Sequence, residues 1–108
     1  MALNSTALNW SLVTKNFTPD ELLKQKLQQK VAKLEKHLEH FPFDAVHLQV
    51  NLERHPKKPQ FKAGLTLKLP SNLLHGEKEA PDMVTAFEQA FKALLREVGG
   101  FKDELRGD

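Results

Sequence analysis

The sequence predicts an α+β domain of order β-α-β-β-β-α, a four-stranded mixed sheet with two helices packed on one face. Three observations carry that expectation. Residues 18–41 and 81–98 place apolar side chains at helical spacing, while 45–53 and 60–69 alternate apolar and polar residues strictly. Each of these segments has only one apolar side, so a single buried layer between sheet and helices satisfies all of them.

Residues 7–13, ALNWSLV, form the first strand, with Leu8, Trp10 and Leu12 on one face. Trp10 reads as core rather than as a platform for a base. The first helix opens at Thr18, which caps it, with Pro19 at the first helical position and Glu21 completing a Thr-x-x-Glu capping box. Pro42 disfavours helical geometry at the residue before it, so Phe41-Pro42-Phe43 ends the helix. With Leu23 at zero and about 100° per residue, the stripe Leu23, Leu27, Val31, Leu34, Leu38 and Phe41 falls within about 80°. Lys26, Lys30, Lys33, Lys36, His37 and His40 fall on one flank, between about 220° and 340°, and Glu21, Glu35 and Glu39 on the other, between about 120° and 160°. A helix that is merely soluble interleaves its charges. This one sorts them, as an anionic partner favours.

In 45–53, AVHLQVNLE, the residues Val46, Leu48, Val50 and Leu52 point inward, with His47, Gln49, Asn51 and Glu53 outward. In 60–69 Phe61, Ala63, Leu65, Leu67 and Leu69 point inward, with Lys62, Thr66 and Lys68 outward. The two-proline turn Arg54-His55-Pro56-Lys57-Lys58-Pro59 joins them into an antiparallel hairpin with one wet face. After a turn at Pro70-Ser71-Asn72, residues 73–79 form a weaker edge strand, because Gly76 and the charges lower its propensity. Pro81-Asp82 opens a second helix that runs to about Val98, where Gly99-Gly100 ends it. Met83, Val84, Phe87, Phe91, Leu94, Leu95 and Val98 occupy about 120° of this helix, and Thr85, Gln89, Lys92 and Arg96 lie near 180–240°. Residues 1–98 then form one domain, with 99–108 as a charged tail. A strand–helix–strand start implies a parallel pair joined by a right-handed crossover, followed by a meander.

Composition excludes several classes. The 108 residues include no cysteine, so no disulfide or Cys-based zinc site is available, and the formal charge is only +2. Apolar runs are too short for a transmembrane helix. There is no Gly-rich phosphate loop, no Gly-x-Ser-x-Gly elbow and no His-Glu-x-x-His, which reads as a non-enzyme without cofactor, metal or small-molecule substrate. His37 and His40, three apart, read as cations at a helix C-terminus rather than as metal ligands. The outward sheet positions are polar, unlike the base-stacking sheet of an RRM module.

The stretch KVAKLEKHL at 30–38 resembles the helix motif of the bacterial hibernation-promoting factor family, the small ribosome-associated inhibitors also called sigma-54 modulation proteins. Lys30, Lys33, Leu34 and Glu35 match its K-x-x-K-L-E-like run, Asp82-Met83 with Ala86 match the start of its second helix, and Leu8-Asn9 match its first strand. Element order agrees, and the resemblance covers nearly all of residues 7–98. It implies a cytoplasmic, short-form translation inhibitor, with no second domain to pair ribosomes, which acts as a monomer off the ribosome and has no membrane partner. Its partner would be the 16S rRNA of the small subunit, in the path of mRNA and tRNA. Carried over by position, Lys26, Lys30, Lys33 and Arg96, with Lys102 in the tail, would contact rRNA; Lys36 and Lys92 join them from the helical wheel. Arg54, Lys57 and Lys58 of the hairpin turn are secondary candidates. The residues alone leave two other readings open, a general structured-RNA-binding module like the double-stranded-RNA-binding fold and a protein–protein adaptor that uses the exposed sheet.

Overall fold

The computed structural model describes residues 8–38, 45–70 and 72–105, with 102–105 described by their backbone. The elements are β1 (Asn9–Lys15), α1 (Glu21–His37), β2 (His47–Arg54), β3 (Phe61–Leu69), β4 (Asn72–Ala80) and α2 (Met83–Leu105). They give the expected α+β order and a four-stranded sheet in the order β1-β2-β3-β4. β1 and β2 are parallel, with Asn9 opposite His47, while β2–β3 and β3–β4 are antiparallel.

One face of the sheet is dry. Leu48, Val50, Leu52, Ala63, Leu65, Leu67 and Leu74 are buried in one cluster with Leu23, Leu27, Val31, Leu34 and Leu38 of the first helix region and Phe87, Phe91, Leu94 and Val98 of α2. Both helices therefore cover the same face, and the alternate positions, such as His47, Gln49 and His75, are exposed. Trp10 packs against this core, as do Phe17 and Phe61, whose rings meet edge to face at 5.9 Å.

Both helix starts lie at the hairpin end of the sheet. α1 begins after Asn16, which adopts φ 55° to leave β1, a conformation asparagine tolerates better than most residues. The cap of α1 is Asp20, not Thr18: the Leu23 N–H donates to Asp20 Oδ1 at 2.9 Å. A carboxylate at this place both satisfies an orphan N–H and opposes the positive end of the helix dipole, so the helix starts two residues later than expected and Pro19 precedes it. At the other end α1 stops at His37, where Leu38 leaves helical geometry and donates to the Glu35 carbonyl at 3.0 Å. The expected stop at Phe41-Pro42-Phe43 falls in 39–44, outside the described residues.

Two expectations about glycine are corrected. α2 does not end at Gly99-Gly100 but continues to Leu105. The apolar stripe Leu94, Val98 and Phe101 carries on at helical spacing, and Phe101 is buried, so packing outweighs the low helix propensity of the pair. β4 is the edge strand expected, but it runs from Asn72 to Ala80, longer than the expected 73–79, and passes unbroken through Gly76. A Cβ there would lie 2.4 Å from the Ala90 carbonyl oxygen and 2.6 Å from the Leu94 nitrogen, so glycine is what lets α2 settle directly on β4.

Candidate nucleic-acid interface

The two helices run parallel along the sheet, and their facing flanks meet at one ion pair and one cation–ring contact. Lys26 Nζ donates to Glu88 Oε2 at 3.2 Å, and one turn later Lys30 Nζ stands 5.5 Å from the centre of the Phe91 ring. The sorted lysine flank of α1 is thus turned toward α2, and its first member is ion-paired. Glu88 was not among the residues the sequence singled out. A helical wheel places it at the edge of the apolar stripe, but only the sheet order shows that this edge faces α1.

Further along, the cations stand without counter-charges. Lys33, Lys36, Lys92 and Arg96 are exposed and have no carboxylate partner among the described residues. Lys102 belongs by its backbone to the last turn of α2, and His40 lies outside the described residues. Acids also stand at the start of each helix: Asp20 and Glu21 start α1, and Asp82 caps α2, accepting from the Thr85 N–H at 3.0 Å. The Thr85 hydroxyl and N–H hold the Asp82 carboxyl below the usual aspartate range. Each helix thus has an acid at the positive end of its dipole, while its unpaired lysines and arginine stand in a C-terminal half that also carries Glu35 in α1 and Glu97, Asp103 and Glu104 in α2.

The other acidic flank of α1 is not simply solvated. Glu35 Oε2 accepts from the Leu8 N–H at 3.0 Å and ties the start of β1 to the far end of α1. Glu39 lies outside the described residues.

On the exposed sheet face a polar network crosses β3 and β4. Thr66 Oγ1 and His75 Nδ1 are 2.8 Å apart, His75 Nε2 and Glu77 Oε1 3.1 Å, and Lys62 Nζ and Glu77 Oε2 3.1 Å. The His75 hydrogen bond, and then that from Lys62, hold the Glu77 carboxyl below the usual glutamate range, while the Glu77 hydrogen bond raises Lys62. Ser11 Oγ and His47 Nε2 approach to 3.3 Å on the same face. Among the described residues no group of three or more His, Cys, Asp or Glu is placed to hold a metal ion, and no helix is long and apolar enough to cross a membrane.

The hairpin turn is built around His55. Its Nδ1 accepts from the N–H groups of Lys57 at 3.1 Å and Lys58 at 3.2 Å, and its own N–H donates to the Gln60 carbonyl at 2.8 Å. Arg54, Lys57 and Lys58 are exposed at this tip, at the opposite end of the sheet from Lys33 and Lys36.

The family model of the sigma 54 modulation protein / S30EA ribosomal protein matches residues 11–106. Among solved structures, the chain is similar to the Protein Y N-terminal domain of Thermus thermophilus, with 21% identity, 87% of this chain and 99% of that chain covered, and a TM-score of 0.71. It is also similar to a ribosomal subunit interface protein from Coxiella burnetii, with 14% identity, 89% and 99% covered, and a TM-score of 0.65. At such identities these two likenesses speak to the fold. No curated protein sequence matches the chain.

Proposed function

Because the chain belongs to the sigma 54 modulation protein / S30EA ribosomal protein family, we propose that it is a translation-silencing factor that binds the small ribosomal subunit through 16S rRNA phosphates, in the path of mRNA and tRNA. The observation that carries this reading is the exposed cationic surface of the helix layer, Lys33, Lys36, Lys92 and Arg96, none of which has a carboxylate partner among the described residues. Lysine suits phosphate contact as a flexible point charge, and phosphate contact positions a protein without reading sequence. Lys30 belongs to the same surface and Lys26 contributes once Glu88 releases it, and Lys102 is proposed as a further contact. In this reading the protein works in the cytoplasm as a monomer off the ribosome, and it needs neither a cofactor nor a catalytic step.

Sedimentation through sucrose with purified ribosomes tests it. The expected result is co-migration with 30S and 70S particles that added tRNA or mRNA weakens. Equal binding to any duplex RNA would favour a general RNA-binding module instead, and binding that survives removal of RNA would favour a protein–protein adaptor.

A further inference from the structure

The hairpin tip has the marks of a prepared anion site. Arg54, His55, Lys57 and Lys58 fall within five consecutive residues, all exposed. Flexible loops of this kind cost ordering entropy when they bind, but this one is already ordered. Pro56 and Pro59 fix two backbone angles, and the His55 ring and backbone supply three hydrogen bonds across the turn. Two of the acids nearest the tip, Glu77 and Glu79, have partners of their own. Glu77 is bound by His75 and Lys62, Glu79 accepts from Gln60 Nε2 at 2.9 Å, and Glu53 stands opposite Lys62 in the strand register. Arg54, Lys57 and Lys58 have no carboxylate partner among the described residues.

Its position separates it from the helix surface. Phe17, just before α1, packs on Phe61, the first residue of β3, so both helices start at the hairpin end and run away from it. Lys33 and Lys36 lie twelve and fifteen residues past Glu21, about 18 and 22 Å along the axis, and the tip projects beyond the opposite end. Between the two basic regions stand Asp20, Glu21, Asp82 and the Lys26–Glu88 pair. One continuous anionic strand laid along the helices would have to cross these acids. Two separate footprints avoid them.

Resting on the ribosomal reading above, we infer that the β2–β3 hairpin tip is a second RNA anchor, gripping the phosphate backbone of an rRNA segment other than the one under the helices. Arg54, Lys57 and Lys58 make the contacts, and His55 is a positioning residue that holds the two lysines on a fixed turn. The domain then bridges two rRNA segments rather than lying on one.

The chain has no cysteine, so Lys58→Cys and Lys33→Cys each offer a unique thiol for a photo-crosslinking probe. After irradiation on purified small subunits, both probes should mark rRNA, in different segments. Arg54→Ala/Lys57→Ala/Lys58→Ala should lower the salt slope of binding by about two to three and the affinity by about tenfold or more. His55→Ala should lose part of that affinity, and His55→Asn, which restores a side-chain acceptor, should regain it. A Lys58 probe that marks only ribosomal protein, or the same nucleotides as the Lys33 probe, overturns the inference, as does an unchanged salt slope in the triple variant. If the Lys33 probe marks rRNA and the hairpin probe marks nothing, the second anchor fails and the ribosomal reading stands. If the unmodified protein does not bind the subunit, both fall.

Discussion

Lys26 Nζ and Glu88 Oε2 lie 3.2 Å apart and bridge the flanks of α1 and α2, placing an acid inside the region where the lysines of α1 meet the second helix. Both side chains are more than a third exposed, at 44% and 40%, so the pair adds little to stability, at most about 1 kcal/mol. Its larger effect is on the surface charge offered to an anion. Glu88→Gln should leave the thermal midpoint nearly unchanged and tighten binding to the small subunit, with a steeper salt dependence, because Lys26 is then available to phosphate. Weaker binding in this variant would mean that Glu88 positions Lys26 rather than masking it.

Opposite outcomes are expected at two kinds of glycine in the same helix–strand unit. Gly76→Ala should destabilise the fold by about 1–3 kcal/mol, since the new methyl meets the α2 backbone and neither partner is a flexible side chain. At Gly99 a Cβ meets nothing within 4 Å, and Gly99→Ala should stabilise by about 0.5–1 kcal/mol through helix propensity. Chemical denaturation of the two variants measures both signs.

The network on the exposed sheet face makes a pH prediction. Glu77 has a depressed carboxyl, so its contribution is fully present above the unfolded glutamate range and is lost as pH falls through the depressed value. Lys62 is raised, so its contribution is present below the unfolded lysine range and is lost as pH rises through the raised value. Solvent screening keeps both effects small. In an NMR titration the Glu77 carboxyl carbon should turn over below the ordinary glutamate range, and His75→Ala should move that midpoint partway back, leaving the Lys62 share. No movement would remove His75 as the main cause.

Most of the fold was legible because strict alternation in β2 and β3 and the apolar stripes of α1 and α2 fix which side of each element is buried. What the sequence left unresolved depended on meetings between elements. Thr18 and Asp20 both offer plausible caps, and only the position of the Leu23 N–H chooses between them. Gly76 and Gly99 look alike as residues; the first lies under a helix and the second faces open space. The wheel places Glu35 only on the acidic flank of α1; its bond to the Leu8 N–H depends on where β1 begins. At the basic surface, the wheel grouped Lys26, Lys30 and Lys33 correctly on one flank, but it had no means of showing that this flank faces Glu88 and Phe91.

The most direct measurement is the affinity for purified small subunits, across a range of salt, of the parent protein and of Lys33→Glu/Lys36→Glu/Lys92→Glu/Arg96→Glu. All four residues are exposed, so the variant should keep its circular dichroism and a near-parental thermal midpoint. For the parent, log affinity should fall linearly with log salt; the variant should bind about a hundredfold more weakly or worse, with a flatter slope. A folded variant that binds with the parent's affinity and slope would show that the helix surface is not where the protein meets rRNA.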